Sequence, residues 1–275
     1  METQLRKLQL TQLEILKKID VICGENNIRY SLYAGTLLGA VRHGGFIPWD
    51  DDLDICMPRT DYNRFLEVWS RIQPEGYVLQ TKENTPSCSP SFAKVRKDGT
   101  TFWQSGEKPG IYHMGIFVDI FPIDRIPNGT IKRIIFYWRW MKYQLYTREY
   151  IPAKSSVIVR LVSTIMLRFT SHEERMRYRE HLISKLTCYN DDTRLKTVGI
   201  ETVKSLRVQY PSDMFDRYTK IKFEDSEFMC MDNWNSCLQY MYGDYMELPA
   251  EEDRVQKHQP IIVDFEHNYE ELEGL

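Results

Sequence analysis

The sequence predicts an α+β fold, and three patterns support that prediction. Apolar residues recur at helical spacing in residues 5–22, which is typical of an amphipathic helix packed on a core. Acidic and apolar residues alternate in residues 52–55, as they do in a strand with one buried face. A nearly continuous apolar run in residues 116–121 indicates a strand that is buried over most of its length. A chain of 275 residues is long enough to bury a sizeable core.

The elements follow one another along the first half of the chain. The first helix is predicted to close at Gly24. A turn at Gly35 and Thr36 then leads into a short helix that ends at Gly44. The next helix is predicted to begin behind an N-cap at Thr60. The predicted helices are residues 5–22, 37–43 and 59–71, and the predicted strands are residues 28–33, 52–55, 77–81, 92–96 and 116–121.

The character of the chain changes in residues 126–200, which we predict to be a basic, aromatic-rich helical insertion within a single domain of residues 1–275. Between residues 128 and 187, twelve basic residues face four acidic ones, although the whole chain has a formal charge of −3. Two interpretations stay open. The aromatic residues of a helical subdomain pack inward, which we favour, or the insertion lies against an anionic membrane face.

Net charge and the lack of a signal-peptide pattern or a membrane-span pattern limit the classes of protein to which the chain can belong. The nearly balanced charge does not indicate a nucleic-acid binder. The N-terminus lacks a basic stretch followed by an apolar one, so we expect the protein to be cytoplasmic. Peripheral attachment to the inner face of the cytoplasmic membrane is compatible with that expectation. The apolar windows 131–146 and 156–169 are shorter than the roughly 20 residues of a membrane span, and arginines interrupt both.

The motif DDDLDI carries the chemistry. Strand side chains alternate between faces, so Asp52 and Asp54 are predicted to share one face while Leu53 and Ile55 enter the core. Two carboxylates about 5 Å apart repel by roughly 3 kcal/mol at an effective dielectric constant of about 20, and a cation would offset that repulsion. Carboxylate oxygens on a rigid strand suit Mg²⁺ or Mn²⁺, which share their coordination with water and phosphate.

Asp119 is the third candidate acid. It lies among apolar residues in GIFVDIFPID, where an unpaired carboxylate would be costly to bury. It either caps a turn into Pro122 or completes a site with Asp52 and Asp54, and we favour the second interpretation. Asp124 is predicted to be a turn residue.

The chain resembles the LicD family over residues 5–265, in three blocks: AGTLLGAVRHGGFIPWDDDLDI, GIFVDIFPID, and YGDYMELPAEEDR followed by His258. The resemblance implies a nucleotidyltransferase-like fold, which is a mixed β-sheet flanked by helices and is shared with the DNA polymerase beta superfamily. It also implies transfer of phosphocholine from CDP-choline to a sugar of a cell-surface glycan, such as lipopolysaccharide or teichoic acid. Fukutin and its relatives are distant kin that use other CDP-alcohol donors.

The resemblance also assigns residues by position. Gly35 and Thr36 match the turn that holds donor phosphates, and Asp52 and Asp54 match the metal-binding pair. Asp119 matches the third acid, which is a metal ligand, the base that accepts the acceptor's proton, or both. Arg42 offers a fork of donors that suits phosphate better than the neighbouring histidine. The other predicted substrate contacts are Lys94, Arg96 and His258.

The predicted reaction has two rivals. In the favoured scheme a sugar or glycolipid hydroxyl attacks the phosphorus that bears the alcohol, and CMP leaves. The first rival is a nucleotidyltransferase that adds NMP to a small hydroxyl compound and releases pyrophosphate. The second is a membrane-surface or glycan-binding module without activity, which the presence of all three acids disfavours.

Overall fold

The structure, a computed structural model, describes residues 3–85, 92–104, 112–149, 151, 156–200, 209–258 and 260–272. Its helices are α1 Gln4–Glu25, α2 Ala34–His43, α3 Arg59–Ile72, α4 Thr130–Arg148, α5 Val157–Arg168, α6 His172–Thr187, α7 Trp234–Tyr242 and α8 Tyr269–Leu272. Its strands are β1 Ser31–Leu32, β2 Asp54–Pro58, β3 Tyr77–Gln80, β4 Ala93–Lys97, β5 Thr101–Gln104, β6 Phe117–Arg125, β7 Thr197–Ile200, β8 Tyr210–Pro211, β9 Tyr218–Phe223, β10 Ser226–Met231 and β11 Pro260–Asp264.

The main sheet is mixed, as predicted. Its central order is β1-β2-β6-β4-β3, and β7 and β8 extend it beyond the far end of β6. Strands β2 and β6 run parallel, while the other pairings among the described strands are antiparallel. The α+β class with a mixed sheet and flanking helices is therefore confirmed. The parallel pair brings the beginnings of β2 and β6 to the same end of the sheet.

Apolar faces of the helices bury the sheet. In α1, Ile15, Leu16 and Ile19 are fully buried at helical spacing, and Phe65 and Trp69 of α3 join the same core. A second, smaller cluster lies in the insertion, where Phe136, Trp140, Tyr143 and Tyr146 of α4 pack against Leu182 and Leu186 of α6. The favoured interpretation, aromatic residues packed inward, holds for these four positions. Residues 197–200 belong to the main sheet as β7.

Several predicted boundaries are wrong, for local reasons. Helix α1 continues through Gly24 because Asn26 caps it, with both its backbone and its side-chain N–H bonded to the Ile22 carbonyl. Thr60 is not the N-cap of α3, because β2 runs directly into the helix and Pro58 takes that position without a side-chain bond. The strand predicted at residues 28–33 is reduced to Ser31–Leu32.

Two acidic residues lie in a different context from the one predicted. Strand β2 begins at Asp54, so Asp52 precedes the strand rather than belonging to it. Asp124 is not in a turn but near the end of β6, where its carboxylate accepts hydrogen bonds from Arg59 at 2.5 and 2.8 Å and from Asn190 at 2.7 Å. Those partners offset the cost of placing a carboxylate in a strand. Among the described helices, none has both the length and the apolar character to cross a bilayer.

Candidate active site

Three charged side chains meet across three neighbouring strands. Asp54 of β2 and Asp119 of β6 are register partners in the parallel pair, so both project from the same face of the sheet. Lys94 of β4 lies opposite Asp119 on its other side, and its Nζ is 2.5 Å from Asp119 Oδ1. The structure therefore brings together Asp54, Asp119 and Lys94, three of the residues selected from the sequence.

Asp119 is buried, with only 7% of its surface exposed. Burial raises its pKa, and the charge of Lys94 opposes that shift. The Lys94 ammonium also lies 3.5 Å from the centre of the Phe117 ring, so its position is fixed by both an ion pair and an aromatic face. In this structure Lys94 is the ion-pair partner of Asp119, whereas the sequence predicted it as a substrate contact.

The segment before β2 adds further carboxylates. Asp50 is 5% exposed, and burial together with the charge of Asp52 and a hydrogen bond to it raises the pKa of Asp50 to about 7. Burial and the charges of Asp52 and Asp119 raise the pKa of Asp54 well above its usual range. Raised pKa values in a cluster of buried acids reflect burial and a lack of nearby positive charge, and a bound cation would oppose both effects.

The first turn of α2 lies against these acids. The Thr36 hydroxyl accepts a hydrogen bond from the Asp54 N–H at 2.8 Å and so ties the helix to the start of β2. A Cβ on Gly35 would come within 2.5 Å of Asp50 Oδ2, so a side chain there is excluded by the carboxyl. Ala34 has φ +48°, a strained conformation for a residue with a side chain. The N–H groups in this turn have no partner within the helix, and the helix dipole makes them attractive to anions.

A C-terminal segment closes the site from the other side. The buried Asp51 carboxylate accepts the backbone N–H groups of Lys257 at 3.4 Å and His258 at 3.1 Å, and it also bonds His258 Nδ1 at 3.1 Å. This anchor places Lys257 Nζ 3.7 Å from Asp50 Oδ1. Burial lowers the pKa of Lys257, but the charges of Asp50 and Asp52 outweigh that effect and raise it.

His258 lies at the acidic centre, as its sequence position suggested. Its ring contacts Phe102 and Phe117, and Nδ1 is 3.9 Å from Asp52 Oδ2. Burial lowers its pKa, whereas the Asp51 hydrogen bond and the charge of Asp52 give a net increase. Ligand atoms of Asp51, Asp52 and His258 lie within 4.8 Å of one another, a second grouping with the chemistry of a metal site.

Two predicted substrate contacts are engaged elsewhere. Arg96 is 1% exposed and donates to the Gln80 side chain at 2.6 Å and to the Gly115 carbonyl at 2.7 Å. Arg42 lies near the end of α2, about 10 Å along the helix axis from Gly35. Its guanidinium donates to the carbonyls of Tyr245 and Glu247 at 3.0 and 3.2 Å.

Three residues of the site were missed by sequence reasoning: Asp50, Asp51 and Lys257. The signal for the two acids was the run DDDLD itself, of which only the part with strand periodicity was used. Lys257 is adjacent to His258, and two basic side chains in a row indicate a segment that contacts anions. The long-range contacts with Asp50 and Asp51 show where that segment lies.

Comparisons with known proteins identify the family of this chain. Residues 27–161 match the family profile described as LicD/FKTN/FKRP, nucleotidyltransferase domain. The lipopolysaccharide cholinephosphotransferase LicD of Haemophilus influenzae is 30% identical over 280 aligned positions, which cover 92% of this chain and 96% of that protein. The ribitol 5-phosphate transferase FKRP of Homo sapiens is 40% identical over 58 residues, 19% of this chain and 12% of that protein. Among solved structures, the crystal structure of ANT(2")-Ia in complex with adenylyl-2"-tobramycin covers 64% of this chain and 98% of that chain at 15% identity, with a TM-score of only 0.24.

Proposed function

This chain belongs to the LicD family of phosphotransferases, and we propose that it transfers phosphocholine from CDP-choline to a hydroxyl of a cell-surface glycan or glycolipid sugar, with release of CMP. The observation that supports the proposal most directly is the meeting of Asp54 and Asp119 on one face of the sheet beside the first turn of α2. Acids beside a helix N-terminus are what a site for metal-bound phosphates requires.

The donor set fits a divalent cation. Asp52, Asp54 and Asp119 would hold Mg²⁺ or Mn²⁺, because carboxylate oxygens are the ligands these ions prefer. Burial and the charges of Asp52 and Asp119 raise the pKa of Asp54, and a bound cation would oppose that shift. When bound, the ion neutralises charge on the donor phosphates and on the departing nucleotide.

The protein's own groups bind and orient the donor. The N–H groups of Gly35 and Thr36 face the pyrophosphate, and Lys257 adds a positive charge next to the acids. The Thr36 hydroxyl holds the backbone of Asp54 in place, so the acid and the phosphate-binding turn keep a fixed separation.

The transfer itself is a displacement at phosphorus. A bond forms between the acceptor oxygen and the phosphorus that bears choline, while the bond from that phosphorus to CMP breaks. Asp119 is the candidate acceptor for the hydroxyl proton, because its carboxylate lies beside Asp54 on the face of the sheet that carries the acids. Lys94 keeps the carboxylate oriented through the 2.5 Å ion pair.

Product analysis tests the proposal. The full chain is incubated with CDP-choline, Mg²⁺ and a lipopolysaccharide acceptor, and CMP release is measured together with incorporation of phosphocholine. We expect the two to be equimolar and to stop in excess EDTA. Asp54→Asn should lower the rate about a thousandfold or more, because it removes charge stabilisation at the reacting phosphate. The matched control Asp225→Asn, at an exposed ion pair with Lys17, should leave the rate unchanged.

Two outcomes would overturn the assignment. Turnover that persists in excess EDTA would exclude the metal-dependent scheme. Release of pyrophosphate from a nucleoside triphosphate, with no CMP from CDP-choline, would identify a nucleotidyltransferase instead.

A further inference from the structure

Helix α5 has an apolar face that no described part of the chain covers. Ile158, Leu161 and Ile165 recur at helical spacing and are 75%, 62% and 49% exposed. Val162 and Phe169 lie on the same face, and Phe169 is 77% exposed. Of the residues in α5, all of which the structure describes, only Ser163 is buried. Apolar side chains exposed over a whole helix are uncommon in a water-soluble monomer and indicate a binding surface.

Helix α4 carries a second exposed apolar stripe. It contains Ile131, Ile134, Ile135, Trp138 and Met141, which follow helical spacing. Ile131 is 74% exposed and Trp138 is 51% exposed. The opposite face of the same helix packs its aromatic residues into the insertion's core. Core formation therefore accounts for one face of α4 and leaves the other unexplained.

The charge around these faces is positive. Lys132 on α4 and Arg160 and Arg168 on α5 are exposed, and within the described residues none of the three forms an ion pair. Residues 128–187 carry twelve basic and four acidic residues. A surface that combines exposed aliphatic side chains, a tryptophan and unpaired basic groups matches the apolar layer and anionic headgroups of a bilayer.

We propose that α5, with the exposed stripe of α4, docks this protein on the surface of an anionic phospholipid bilayer. Helix α5 has 12 residues and a length of about 18 Å, so it is too short to span the hydrocarbon layer and lies in the plane of the headgroups. Its apolar face enters the acyl boundary while Arg168, at the edge of that face, contacts lipid phosphates. The inference rests on exposure and charge alone and does not depend on the reaction that the acidic site performs.

Vesicle sedimentation tests the proposal with a charge-matched pair of variants. The full chain is mixed with vesicles of phosphatidylglycerol and phosphatidylcholine in equal parts, or of phosphatidylcholine alone, and the bound fraction is measured after centrifugation. Leu161→Glu with Ile165→Glu adds two negative charges on the apolar face. The control, Thr164→Glu with Thr130→Glu, adds the same charge at two exposed polar positions on α5 and α4, neither of which caps a helix. Because all four positions are exposed, circular dichroism should show both proteins folded.

We expect the wild-type chain to bind the anionic vesicles and to bind phosphatidylcholine more weakly. The apolar-face variant should lose roughly tenfold or more in partitioning, because two large side chains no longer enter the bilayer, while the control loses less. Equal losses in the two variants would overturn the proposal, since charge alone would then explain binding. Wild-type protein that stays in the supernatant would also overturn it. A measurement of molecular mass in solution gives a third test. If the wild-type chain is a dimer and Leu161→Glu with Ile165→Glu makes it a monomer, a second copy of the chain covers this face and the proposal is wrong.

Discussion

The acidic end of the sheet and the outer faces of α4 and α5 depart from ordinary protein structure in opposite directions. At the sheet end, charged side chains are buried: Asp50, Asp51, Lys94 and Asp119 are each less than 10% exposed. On α4 and α5, large apolar side chains are exposed. Elsewhere in the main core the usual rule holds, and buried positions are mostly apolar.

The difference between these regions is the physical basis of the two proposals. Burying a charge costs free energy unless another charge or a bound ion compensates it, which is the reason for proposing an ionic ligand at the sheet end. Exposing an apolar face costs free energy unless something apolar covers it, which is the reason for proposing a bilayer as the partner of the two helices. In each region the proposed ligand would lower the cost in free energy: a cation would neutralise the buried acids, and a bilayer would cover the exposed apolar side chains.

The largest effect is expected from removing one member of the buried ion pair. Lys94→Met leaves the Asp119 carboxylate buried without its 2.5 Å partner and should lower the free energy of unfolding by about 3–5 kcal/mol in EDTA. Lys97→Met on the same strand removes a partly exposed pair with Glu14 and should cost about 1 kcal/mol or less. Urea denaturation measures both. Equal losses of stability in the two variants would mean that water solvates the Asp119 carboxylate, so that the Lys94–Asp119 pair does not differ from an exposed ion pair.

A smaller effect is expected from a methyl group at the phosphate-binding turn. Gly35→Ala places a Cβ only 2.5 Å from Asp50 Oδ2, so it should displace the carboxyl and cost about 1–3 kcal/mol of stability. Transfer activity should fall by about a hundredfold, because small displacements of site residues have large kinetic effects. Gly24→Ala in α1 meets nothing within 4 Å and should leave activity unchanged. CMP release and thermal denaturation of both variants provide the check, and normal activity in Gly35→Ala would place the donor elsewhere.

The sequence predicted those parts of the site that regular strands position. The alternation in residues 52–55 and the apolar run in residues 116–121 were enough to put Asp54 and Asp119 on strands, and the parallel register then made them neighbours. Period-two reasoning also placed Lys94 and Arg96 on one face of β4. It did not distinguish their roles, because the pairing of Lys94 with Asp119 and of Arg96 with Gln80 depends on which strands lie on either side.

The parts of the site that were missed lie outside regular elements. Asp50 and Asp51 precede β2, where side chains follow no fixed period, and their neighbours are set by a segment about two hundred positions later. The resemblance to the LicD family selected His258 in that segment but not Lys257. Exposure of the α4 and α5 faces was equally hidden, since an amphipathic pattern indicates an apolar face without saying whether protein or membrane covers it.

The smallest effects are expected from replacing Lys257 or Arg42. Arg42 is the phosphate contact that the sequence suggested, whereas Lys257 is the one that the fold places beside the acids. Lys257→Met removes the ammonium 3.7 Å from Asp50, while the backbone bonds to Asp51 remain, so the KM for CDP-choline should rise about tenfold with little change in stability. Arg42→Met removes hydrogen bonds to the carbonyls of Tyr245 and Glu247 and should cost about 1 kcal/mol of stability with an unchanged KM. Steady-state kinetics at saturating acceptor and thermal denaturation measure the two quantities separately. The reverse pattern would mean that Arg42 leaves its carbonyl partners to bind the donor, and the original prediction for Arg42 would then stand.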